Sequence, residues 1–172
     1  MRVLGLDPGL ALTGYGIVEP HPRGGYRALT YGVVRTPARA PLPERLAQLY
    51  NAVQSLIATY QPDAAAVERL FAQRNVRSVM SVGQARGVVL LALGQAGVPV
   101  AEYTPTQIKA ALTGYGAAQK AQMQRMVQLL LGLEDVPRPD DAADALAVAL
   151  CHIYHTPMAR GIETTDGHGD HG

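Results

Sequence analysis

Nine of the ten residues from Ala142 to Cys151 are apolar, and the exception is Asp144. A run that hydrophobic, entered through Pro139, Asp140 and Asp141, reads as a helix buried in a core. Any fold for this chain must therefore bury a helix whose mouth carries three carboxylates. Asp is a preferred N-cap, and acids in a first turn complement the positive end of the helix dipole, which accounts for one or two of them. The third is left over. Residues 141 and 144 share a face, as do 140 and 144, and that face runs on into Ala145, Val148 and Cys151.

The preceding elements follow from turn residues and hydrophobic spacing. "RVLGLD", closed by "PG", reads as a central strand entering a tight turn, and "ALTGYGIVE" and "GYRALTYGVVRT" as two more strands of an antiparallel opening. Leu42, Leu46, Leu49, Val53 and Leu56 recur at three- and four-residue intervals, predicting an amphipathic helix from Pro41 to Tyr60. "DAAAVE" is a strand ending in Glu68, and "RLFAQRNVRS" reads as a loop. Val79 to Ala96 is apolar almost all round, which predicts a helix buried on several sides. Its Gly83 and Gly87 suit close approach of an internal helix or a second subunit. "VPVAEYT" supplies a fifth strand, "PTQIKAAL" a short helix and "AAQKAQMQRMVQLLLG" a longer one. The order predicts an α/β domain over residues 1–156, with a mixed five-stranded sheet whose first three strands are antiparallel, flanked by helices. Residues 157–172, rich in Gly, are expected to form a disordered tail.

One cysteine, Cys151, excludes an internal disulfide and a multi-cysteine zinc site. No apolar window reaches the length of a membrane span and Met1 leads straight into "RVLGLD", so a cytoplasmic protein with no membrane attachment is expected. Net charge is +1, yet Arg69 to Leu133 holds seven basic residues against one acid, Glu102, a local charge of +6. Such a stretch is a candidate footprint for a polyanion, with solvated helix faces as the alternative.

Asp7 and Glu68 repeat the anomaly of the last helix, because each ends an apolar strand with a carboxylate. Asp7 alone could tie down the turn that follows it. If the two strands are neighbours and the last helix packs beside them, Asp7, Glu68, Asp141 and Asp144 meet at one sheet edge. Like charges ~4 Å apart cost about 4 kcal/mol at an effective dielectric near 20, so such a cluster demands raised pKa values or a cation. Hard oxygen ligands without Cys or paired His select Mg²⁺ or Mn²⁺, and two such ions would suit phosphodiester hydrolysis.

"LGLDPGLALTGYG", "VERLF", "GQARG", the lysine of "GAAQK" and "DDAADALAVA", in this order from residue 1 to about 155, resemble the RuvC family of Holliday junction resolvases. The resemblance implies an RNase H-like fold, a homodimer, and divalent-metal hydrolysis of two symmetric phosphodiesters in a four-way DNA junction, in recombination and repair. It places Asp7, Glu68, Asp141 and Asp144 as catalytic metal ligands and leaves Asp140 as an extra neighbour, a choice that spacing alone does not make. Lys120 falls on a catalytic position, and Lys109 and Lys120 match lysines near the scissile phosphate. Phe71 and Arg74 are implied at the junction centre, with Arg77 and Arg86 as further nucleic-acid contacts, and the branch-migration proteins RuvA and RuvB as partners. Two other readings remain: a nucleotide-binding fragment of the actin-like or sugar-kinase type, suggested by "GLDPGLALTGYGIV", and a junction-binding protein without catalysis.

Overall fold

In a computed structural model, which describes residues 1–69 and 76–157, three strands open the chain: β1 (Val3–Asp7), β2 (Leu12–Pro20) and β3 (Tyr26–Arg35). There follow α1 (Leu42–Tyr60), β4 (Ala64–Glu68), α2 (Val76–Gln95), β5 (Val100–Tyr103), α3 (Pro105–Thr113), α4 (Lys120–Leu131) and α5 (Asp140–His155). The sheet order is β3-β2-β1-β4-β5. β1, β2 and β3 pair antiparallel, whereas β1–β4 and β4–β5 are parallel, each reached through a helical crossover. This is the mixed sheet that the sequence predicts. Phe71 and Arg74 lie outside the described residues, as do positions 158–172 of the expected tail.

The two faces of the sheet bury separate clusters, and strand periodicity sorts residues between them. Leu4, Leu6, Ile17, Ala65 and Val67 pack with α1 and α2 on one face. Val3, Val18 and Ala66 pack with α3, α4 and α5 on the other. Counting by twos from Val3 and from Ala66 assigns Asp7 and Glu68 to the second face. Strand parity thus aims both acids toward α5.

Three glycines decide how deep α5 sits. A Cβ on Gly5 would fall 1.9 Å from the carbonyl oxygen of Ala145, one on Gly14 1.9 Å from that of Asp141, and one on Gly16 2.5 Å from a methyl of Leu146. At Gly5 and Gly14 nothing larger than hydrogen fits between the strand and the helix backbone, while at Gly16 the Leu146 side chain fills the space. Leu146 and Leu150 are fully buried and Val148 is nearly so, and each such side chain contributes about 1.5–3 kcal/mol of hydrophobic stabilisation. Helix α5 therefore binds tightly at a height set by the glycines.

Helix α2 departs from expectation in two ways. It is already helical at Val76, ahead of the expected Val79, because residues 76–80 are mostly exposed and so carry no hydrophobic period to read. It is also buried on one side only, through Ala85, Val89, Ala92 and Leu93, while Val76, Met80 and Leu91 are exposed. Among the described residues nothing lies within 4 Å of where a Cβ would stand on Gly83, Gly87 or Gly94. By length and composition α2 could cross a membrane, but its buried side is part of the core.

Candidate active site

The turn after β1 does not need Asp7. Thr13, fully buried, holds it instead: its hydroxyl donates to the Gly9 carbonyl at 2.7 Å and accepts from the Gly9 N–H at 3.3 Å. Nor do the acids of α5 cap their helix, since Pro139 is the N-cap and no side chain bonds the first turn. Asp140 and Asp141 do lie in that first turn, where the helix dipole favours them, but this leaves Asp7, Glu68 and Asp144 without a local explanation.

Asp7 and Glu68 end adjacent parallel strands, and the glycine seat brings the first turns of α5 down beside them. Asp7 lies within hydrogen-bond reach of Asp141 and Asp144. Burial first, and then the charges of Asp144, Asp141 and Glu68, push the Asp7 carboxyl up to about 8. Glu68 is raised by burial and by Asp144, with Lys109 partly offsetting the effect. Asp144 is raised by burial, relieved by Lys120 and raised again by Asp141 and Asp140. These mutual influences bring together all four acids singled out in the sequence. Among the described residues no three such side chains stand close enough together to grip a metal ion as they are placed.

Asp140 and Asp141, indistinguishable by spacing, part company in the fold. Asp140 turns outward, where Lys120 pairs with it at 3.0 Å and the Gln124 amide donates to it at 2.9 Å. Those donors hold its carboxyl below the usual range. Asp141 joins Asp7.

Lys109 on α3 and Lys120 on α4, the two lysines of the sequence, line one cleft of about 260 Å³ together with Glu68 and Asp144, over a floor that includes Ile108, Met123 and Val127. The Asp140 pair, followed by the field of Asp144 and its neighbours, raises the Lys120 pKa and keeps it charged. Arg86 is used differently from the phosphate contact expected of it. Its guanidinium donates to the backbone carbonyl of Glu68 at 2.7 Å and pairs with Glu102. With a side chain 12% exposed, it braces the end of β4 and so holds Glu68 in place. Arg77 sits in the exposed first turn of α2. Two residues that the sequence did not single out belong here: Glu102, the lone acid of the basic stretch, and Gln124, one helical turn after Lys120.

Residues 3–152 match the family model described as crossover junction endodeoxyribonuclease RuvC. The chain belongs to the RuvC family. The RuvC of Chloroflexus aggregans is 59% identical over 157 residues, covering 91% of this chain and 95% of that protein. The RuvC of Syntrophomonas wolfei subsp. wolfei is 52% identical over 165 residues, or 96% and 95% of the two. Among solved structures, Thermus thermophilus RuvC superposes with a TM-score of 0.83 at 41% identity, covering 90% of this chain and 94% of that one. A second, of T. thermophilus RuvC in complex with a Holliday junction substrate, gives 0.82 at 38% identity. The RNase H-like fold expected for RuvC is thereby established for this chain.

Proposed function

We propose that this protein resolves four-way DNA junctions in the cytoplasm by nicking two like strands, with Asp7, Glu68, Asp141 and Asp144 as the hydrolytic centre. The observation that carries the reading is the convergence of four carboxylates from three separate parts of the chain, where burial and then the charges of the other three raise the Asp7 carboxyl to about 8. The donor set fits a hard divalent cation, being all oxygen, partly desolvated and short of positive charge at its centre, which favours Mg²⁺ or Mn²⁺ over zinc. Two such ions would activate a water and stabilise the departing oxygen of a phosphodiester.

The remaining roles fall to the chain's own groups. Lys109 and Lys120 flank the cleft next to Glu68 and Asp144, where ammonium groups hold a phosphate and offset charge building on it. Arg86 keeps Glu68 in register from behind. Arg77, Phe71 and Arg74 complete the proposed DNA contacts, and the junction bound by T. thermophilus RuvC supports that substrate. Family membership extends the proposal to RuvA and RuvB as partners. It also disfavours the nucleotide-binding fragment as an alternative.

The direct test incubates the full chain with a synthetic mobile junction with and without Mg²⁺. Symmetrically nicked duplexes are expected only with the metal, and an intact junction under both conditions would overturn the reading. In the same assay Lys120→Ala is expected to lower single-turnover cleavage by about a hundredfold, with a much smaller effect on junction affinity in a gel shift.

Coordinated nicking of two strands needs two sites, and helix α2 offers the surface. Val76, Met80, Gly83, Gly87, Leu91 and Gly94 form one stripe along it, with exposed apolar side chains alternating with bare backbone. A second copy of the chain, related by a two-fold axis, fits this self-complementary pattern, because glycines let two helices approach closely while Met80 and Leu91 fill the flanks. Gly83→Arg places a long charged side chain at the centre of the stripe. Sedimentation equilibrium is expected to show a dimer for the wild type and a monomer for the variant.

A further inference from the structure

Asp140 is the carboxylate that the proposed chemistry leaves over. It neighbours Asp141 in sequence, yet its oxygens serve Lys120 and Gln124, at 3.0 and 2.9 Å. Those two partners are one turn apart on α4, so Asp140 ties the start of α4 to the start of α5 at two points. An exposed ion pair contributes little to stability, and here both side chains are 59% exposed. What the pair decides is where the ammonium sits. Lys120 also feels the charges of Asp144 and Asp141, and without a competing partner it would be drawn toward their oxygens. An ammonium there would occupy the ligands that a divalent cation requires.

We propose that Asp140 is a positioning residue: it parks Lys120 at the rim of the four-acid cluster, off the oxygens of Asp141 and Asp144 and beside the cleft where a phosphate would enter. This rests on the reading of those acids as the metal centre. Asp140 acts through Lys120 and touches neither substrate nor metal.

The test is a double-mutant cycle on metal affinity in the absence of DNA. Mg²⁺ is titrated calorimetrically into the full-length wild type, Asp140→Asn, Lys120→Gln and the double variant. Asp140→Asn is expected to weaken Mg²⁺ binding about three- to tenfold while Lys120 is present, and by less than about twofold once Lys120 is gone, the coupling typical of interacting neighbours. If Asp140 only adds negative charge to the local field, the loss is the same in both backgrounds, and the proposal is overturned. It is equally overturned if neither background shows a loss. Because the sequence holds two lysines, ¹³C-labelled lysine gives two ε-methylene signals. The one that Lys120→Gln removes should respond more strongly to Mg²⁺ in Asp140→Asn than in the wild type, and an identical response counts against the proposal. A wild type that shows this coupling yet leaves junctions uncut overturns the resolvase reading alone. One that cuts junctions but shows no coupling overturns only the positioning role.

Discussion

Asp7→Asn is expected to reduce junction cleavage on the order of a thousandfold or more, and at the same time to make the metal-free protein harder to unfold at pH 8. The second effect follows from the first group's environment. The Asp7 carboxyl titrates near 8 in the folded chain, against 3.8 for an unperturbed Asp. Between those values the folded state holds a proton that the unfolded state has released, so stability falls as pH rises from about 4 to about 8. Below that window the carboxyl is protonated in both states and costs nothing extra. At about 1.4 kcal/mol per pH unit, the penalty at pH 8 is on the order of a few kcal/mol, spread over the coupled acids. Asparagine fills the same space without ionising. Thermal melts in EDTA should therefore show the variant about 5 °C above the wild type at pH 8, with the gap closing near pH 4. Coincident melting curves at both pH values would mean that folding does not raise the Asp7 carboxyl, and junction binding that disappears with cleavage would point to a folding defect instead.

Gly14→Ala is expected to be nearly as damaging to cleavage although it removes no functional group. The added methyl would meet the Asp141 carbonyl oxygen at 1.9 Å, a contact that forces the first turns of α5 off the sheet. Overpacking of this kind costs about 1–3 kcal/mol. The larger consequence is geometric, because Asp141 and Asp144 ride on the part of the helix that moves. Metal affinity by calorimetry and cleavage of a junction should fall together, by a hundredfold or thereabouts in rate, since misplacement of about 1 Å is enough for such a loss. Gly5→Ala, whose methyl meets the Ala145 carbonyl oxygen at the same 1.9 Å one turn further along α5, should cost similar stability. Retained metal affinity in a folded Gly14→Ala protein would show that the height of α5 is not what assembles the site.

These two positions mark the boundary of what the sequence discloses. A carboxylate at the end of an apolar strand is costly, so Asp7 and Glu68 stand out without any coordinates, and Asp144 stands out in the same way within a helix of buried residues. Strand parity then makes their meeting predictable. The glycines that set the meeting distance are not predictable, because Gly5, Gly14 and Gly16 read as ordinary punctuation in β-strands until the helix above them is in place. The split between Asp140 and Asp141 is hidden for a related reason: helical spacing puts both near Asp144, and only the position of Lys120 and Gln124 on another helix separates them. Helix α2 misled in the opposite direction. Its all-round hydrophobicity suggests burial on several sides, whereas the fold covers one and leaves a stripe suited to a second copy. Arg86 resembles its basic neighbours in composition, and nothing short of the fold shows its side chain turned inward to the Glu68 carbonyl.

The acids come from β1, β4 and α5, and α5 comes latest in the chain among the helices of the described residues. A chain synthesised only as far as α4 carries Asp7, Glu68 and both lysines but lacks the two carboxylates that complete the centre. On the proposed reading, a copy that stops short of α5 is expected to leave the chromosome intact, because half of the hydrolytic centre has yet to be made.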